Sequence, residues 1–129
     1  MTFSAETLAL SAIKLCLLGN EAEFRRDLGQ ARRLFLSAWE VATTDFEKCI
    51  AAHYAGHLAE IPAVALRWHE RALHHARQAP EVAVAPFLPS LYVNLGKAYE
   101  DVNRPVEAAT YFQLASELGL RHRPDVADA

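Results

Sequence analysis

The sequence predicts an all-α fold of antiparallel helix hairpins, about six helices in three pairs. Three observations carry this. Apolar residues recur at spacings of three and four along almost the whole chain, no segment alternates strictly with β-branched residues, and Pro or Gly-Asn breaks interrupt the periodicity at short intervals. The 129 residues are of single-domain length, and 52% hydrophobic with 22% charged residues is the balance of a globular core rather than of a disordered segment.

Ser4 is a candidate N-cap for the first helix, with Leu8, Leu10, Ile13, Leu15 and Leu17 behind it and a stop at Gly19-Asn20. A second helix begins near Glu21, carries Phe24, Leu28, Ala31, Phe35, Ala38, Trp39 and Ala42 on one stripe, and ends near Thr43. Thr44 or Asp45 caps a third, which holds Phe46, Ile50, Tyr54, His57 and Leu58. Ile61-Pro62 breaks it, because proline disfavours helical geometry in the residue before it and suits the first turn of the next helix. That fourth helix holds Val64, Leu66, Trp68, Ala72, Leu73 and Ala76 and closes at Pro80. Residues 79–86 show no period and read as a linker or irregular extension, too apolar for a disordered tail. A fifth helix spans about Phe87 to Val102, and a sixth runs from Arg104, with Pro105 in its first turn, to Gly119. Arg121 to Ala129 are polar and expected to fray.

A formal net charge of −3 argues against a domain that neutralises phosphates, so nucleic acid is not an expected partner. Arg25, Arg26, Arg32 and Arg33 cluster, yet helical spacing spreads them around the solvated side of one helix. No apolar stretch approaches the roughly 20 residues of a membrane span. Met1 to Asn20, with Glu6 ahead of its apolar run and no basic cluster, reads as the first helix and not as a signal peptide. Cys16 and Cys49 form no CxxC pair, which suits free thiols in a cytoplasmic setting.

An internal period follows from the helix positions. Ala31, Phe35 and Ala38 match Ala65, His69 and Ala72, and then Ala108, Phe112 and Ala115, with the extra residues 79–86 accounting for the longer second interval. Small residues flanking a bulky one let one helix approach its hairpin partner while the ring fills the adjacent groove. In the third unit Tyr92, Leu95, Gly96 and Tyr99, then Ala108 and Phe112, reproduce the spacing W-x2-L-G-x2-Y…A-x3-F. The segment YVNLGKAY thereby resembles the tetratricopeptide-repeat family, and Asn103 suits the left-handed turn between that unit's helices.

The resemblance implies a right-handed stack, or short α-solenoid, of three hairpin units at about 3–43, 44–79 and 87–119, with 120–129 as a tail. It covers the third unit best, the second less and the first least. The first unit lacks the Gly/aromatic pattern in a clean register, the second has His53 or a neighbour where a small residue belongs, and Leu120 replaces the motif's terminal proline. It also implies that the exposed stripe of each first helix forms a peptide-binding groove. Those residues are Val93, Asn94, Lys97, Glu100 and Asp101 in the third unit, and Ile50, Tyr54 and His57 in the second, to within one residue of register.

Residues that could carry chemistry point elsewhere than to catalysis. Cys49, His53 and His57 share one helical stripe, but a helix drifts over eight residues and three ligands so spaced converge poorly on a metal. His74 and His75 project about 100° apart and read as an exposed polar face. Trp39 and Trp68 read as hairpin-interface residues. With no HExxH, GxSxG, P-loop or dinucleotide fingerprint, the expectation is a binding protein and not an enzyme, without metal or other cofactor. Its partner would be a protein or peptide. Val106, Tyr111, Leu114, Leu118 and Leu120 on the last helix add an expected homodimer, because a terminal hairpin leaves an apolar side without a neighbour.

Overall fold

The computed structural model describes residues 5–119, with side chains from residue 11 onward. Ser4, the side chains of Leu8 and Leu10, Leu120 and the 121–129 segment lie outside the described residues. Within them the chain is all-helical: α1 (Ala5–Phe24), α2 (Leu28–Val41), α3 (Asp45–His57), α4 (Pro62–Gln78), the single turn α5 (Glu81–Val84), a 3-10 turn at Ala85–Phe87, α6 (Leu88–Asp101) and α7 (Pro105–Gly119). The helices pack as the pairs α1/α2, α3/α4 and α6/α7. Contacts of α1 and α2 with α3, and of α4 with α6, join one pair to the next.

The turns follow from a few residues. Thr44 caps α3 in a capping box: its hydroxyl accepts from Glu47 N at 3.1 Å, while Glu47 Oε1 accepts from Thr44 N at 3.0 Å. The backbone N–H and hydroxyl of Thr43 also donate to that carboxylate oxygen, at 3.0 and 3.1 Å. Burial pushes the Glu47 carboxyl up, but the hydrogen bonds that Thr43 and Thr44 donate to it outweigh this and hold the group below its ordinary range. Pro62 and Pro105 each open a helix. Asn103 takes φ 62°, the left-handed conformation expected of it, and the Arg104 N–H returns to Tyr99 O at 2.9 Å.

The first turn departs from expectation. Gly19-Asn20 does not stop α1, which continues to Phe24, and the left-handed residue is Arg26 at φ 69°. Asp27 N donates to Ala22 O at 2.8 Å, and the Asp27 carboxylate accepts from Gln30 N at 3.3 Å to start α2. Arg25 and Arg26 therefore lie in the turn, and the half-buried Arg32 donates to Leu58 O at 3.1 Å and pairs with Glu60 at 3.3 Å. A left-handed arginine is strained where glycine is not, so Arg26→Gly should raise the unfolding free energy by about 1 kcal/mol. A urea midpoint that does not rise would contradict this.

Gly19 has another task, shared with Gly56 and Gly96. Each is buried on the first helix of its pair, beneath a ring from the second: Phe35, His69 and Phe112 respectively. A Cβ would overlap the Phe35 ring at Gly19, lie 2.8 Å from His69 Cε1 at Gly56, and lie 2.6 Å from Phe112 Cε1 at Gly96. The Gly/aromatic pattern thus has a register in all three pairs, and Gly56, not His53, is the small residue of the second. Gly96→Leu should overpack α6 against α7 and cost about 1–3 kcal/mol or more. An unchanged melting temperature would refute the close approach.

The core between the pairs is rich in alanine. Cys49, Ala52, Ala72 and Ala76 pack with Val84 and Leu91 at the junction of the second and third pairs. Burial of Val84 explains why residues 81–87 are helical turns and not the irregular linker expected. The segment packs an apolar residue, and Pro80, Pro86 and Pro89 restrict its backbone to geometry compatible with helix starts.

Candidate functional site

The first helices α1, α3 and α6 line one face, and counting from each glycine shows how. Six residues before it stand Ile13, Ile50 and Ser90, and three before it Cys16, His53 and Val93. Two before it stand Leu17, Tyr54 and Asn94, and one after it Asn20, His57 and Lys97. All of these except Lys97 line two adjoining chambers, of about 470 and 500 Å³. The first chamber lies between α1, α3 and the start of α6, with Phe46, Phe87 and Leu91 completing its walls. The second lies between α3, α6 and the end of α7, with Phe112, Ala115, Ser116 and Gly119. His53 and Ser90 line both.

Of the residues expected at a groove, Ile50 and Tyr54 line the first chamber, and His57, Val93 and Asn94 the second. Ile50 is only 8% exposed and serves as floor. Tyr54 stacks on Phe35 at 5.0 Å, so the hairpin core supports this wall of the groove. Lys97, Glu100 and Asp101 are exposed on α6 but line neither chamber. The sequence reading missed the α1 contribution of Ile13, Leu17 and Asn20, and also Phe46, Phe87 and Ser90. The glycine register would have found Ile13, Leu17, Asn20 and Ser90.

Three histidines meet beside the groove. His53 Nδ1 lies 3.3 Å from Asn94 Nδ2, linking α3 to α6, and the His53 ring lies 6.3 Å from that of His69. His57 is exposed and holds Glu23 of α1 at 3.0 Å. Burial, and then repulsion from His57, lowers the affinity of His53 for a proton. His69 is more extreme: it is 7% exposed, its Nδ1 has no hydrogen-bond partner, and burial, followed by His53 and His57, pulls its pKa down to about 4.

Cys49 does not join this cluster, because it faces the core toward α4. Among the described residues no three His, Cys, Asp or Glu side chains are placed to hold a metal ion. Burial pushes both thiols up to about 11, which leaves them protonated and poorly nucleophilic at neutral pH. His75, expected on an exposed face, is instead half-buried, with Nδ1 2.7 Å from Asp45 Oδ1 and its ring edge-on to Trp39. Trp39 and Trp68 meet edge to face at 5.2 Å between α2 and α4, with Arg71 over Trp68 and Lys48 over Trp39, so they form an interface and not a ligand box.

No helix among the described residues is long and apolar enough to cross a membrane. No protein-family model, curated protein or solved structure matches the chain.

Proposed function

We propose that this chain is a tetratricopeptide-like interaction module: three hairpin units stacked as a short right-handed solenoid, whose first helices hold a protein or peptide partner. The observation that supports this most is the common register. Three helices of different sequence present the same positions, counted from a glycine, to one continuous groove. Function as a binding protein without cofactor, in the cytoplasm, belongs to the same proposal. Combining Val93→Ala with Asn94→Ala, both in the lining of the second chamber, should weaken capture of the partner from the native host by roughly tenfold or more, with helical circular dichroism intact. Unchanged capture would move the site off α6.

Self-association is a second reading, favoured by Phe24, which is 90% exposed at the end of α1 with the exposed Leu28 across the turn. On α7, Val106 is 76% exposed, whereas Leu114 and Leu118 are half-buried and Tyr111 stacks against Tyr92 and Tyr99. Light scattering should give twice the chain mass, reverting to one in Phe24→Glu/Leu28→Glu. A monomer at high concentration would exclude this reading.

A further inference from the structure

The lining of the groove restricts what it can hold, an argument that rests on the reading of α1, α3 and α6 as the binding face. Among the described residues, no Asp, Glu, Lys or Arg lines either chamber. The ionisable groups there, among the described residues, are Cys16, Tyr54, His53 and His57. Burial favours the neutral forms of Cys16 and His53, and His57 already faces Glu23. A charged side chain entering this space would lose its water and find no counter-charge among the lining residues.

The groove is also graded along its length. Ile13, Leu17, Phe46 and Ile50 make the α1–α3 end apolar, whereas Ser90, Asn94 and Ser116 supply hydroxyls and an amide at the α6–α7 end. A chamber of about 470 Å³ has the size of an ordinary ligand pocket and accepts a few large side chains. Hydroxyl and amide groups, which donate and accept without charge, match the main-chain amides of a peptide.

We infer that the groove takes an uncharged peptide segment of a partner protein, which buries two or more large apolar side chains between α1, α3 and Phe87 and meets Ser90 and Asn94 with its main chain. Charge complementarity selects this occupant, because acidic and basic peptides both lack a matching group in the lining.

The test uses random linear peptides displayed on phage and selected on the immobilised full chain. Enriched sequences should share a short uncharged stretch with at least two large apolar residues. A synthetic peptide of that sequence should bind Ser90→Glu and Leu17→Glu roughly tenfold or more weakly than the unmutated chain, since each variant places a charge in the groove. Both positions are exposed, so the variants should keep their melting temperature. Enrichment of an acidic or basic motif whose binding is still lost in the two variants would overturn the inference and leave the groove reading intact. Enriched peptides indifferent to both variants, or no enrichment, would overturn the groove reading and the inference with it.

Discussion

Phe35→Ala should lower the unfolding free energy by about 3–5 kcal/mol, among the largest losses available to a single substitution in this chain. Phe35 is fully buried in a cluster with Ala22, Ala31 and Ala55, covers Gly19 of its own pair, and stacks on Tyr54 of the next. Its removal therefore opens a cavity at the junction of two pairs, and small neighbours cannot collapse to fill it. A second substitution gives the test its sign. Gly19→Ala alone should destabilise, because the new methyl meets the ring. In the Phe35→Ala background it should be neutral or stabilising, since alanine is a better helix former than glycine by about 1 kcal/mol. Equal destabilisation in both backgrounds, measured by urea unfolding, would remove the explanation offered for Gly19 and weaken it for Gly56 and Gly96.

The second large effect is on stability in acid. The folded chain keeps His69 neutral down to a pKa of about 4, whereas in the unfolded chain the ordinary value is about 6.5. Between these values the unfolded state binds a proton that the folded state refuses, so stability falls as pH drops from 6.5 toward 4 and levels off below. The shift is worth on the order of 3 kcal/mol. His53, lowered in the same direction, adds to the loss. His69→Phe should flatten this slope. It should also hold or raise stability at neutral pH, because it removes the unpartnered Nδ1 and places over Gly56 the ring that Phe35 and Phe112 already place over Gly19 and Gly96. Thermal melts of both proteins from pH 7 to pH 4.5 decide the matter. An identical slope in the variant would refute the assignment to His69.

Half of the groove was legible because the motif around Gly96 is complete. Tyr92, Leu95, Gly96 and Tyr99 set the register of α6, and from it Val93 and Asn94 follow. On α1 no aromatic flanks Gly19. A Gly-Asn pair with no aromatic neighbours is read by local rules as a helix stop, and the groove residues Ile13, Leu17 and Asn20 lost their register with it. Lys97, Glu100 and Asp101 illustrate the opposite failure. Periodicity places them on an exposed face but not at a particular depth, and the chambers between α3, α6 and α7 end before reaching them.

The sequence by itself determined the helical class, the pairing of helices across short turns, the starts at Pro62 and Pro105, the left-handed turn at Asn103, and the equivalence of Phe35, His69 and Phe112. These follow from local backbone preference and from the 3.6-residue period, which neighbouring residues carry on their own. Only the tertiary structure decided that Gly19 sits inside a helix, that Arg26 takes the left-handed position, that residues 81–87 coil to bury Val84, and that Cys49 turns away from His53. Each of these depends on contact with a residue distant along the chain, and packing energy of several kcal/mol overrides local preferences of about 1 kcal/mol.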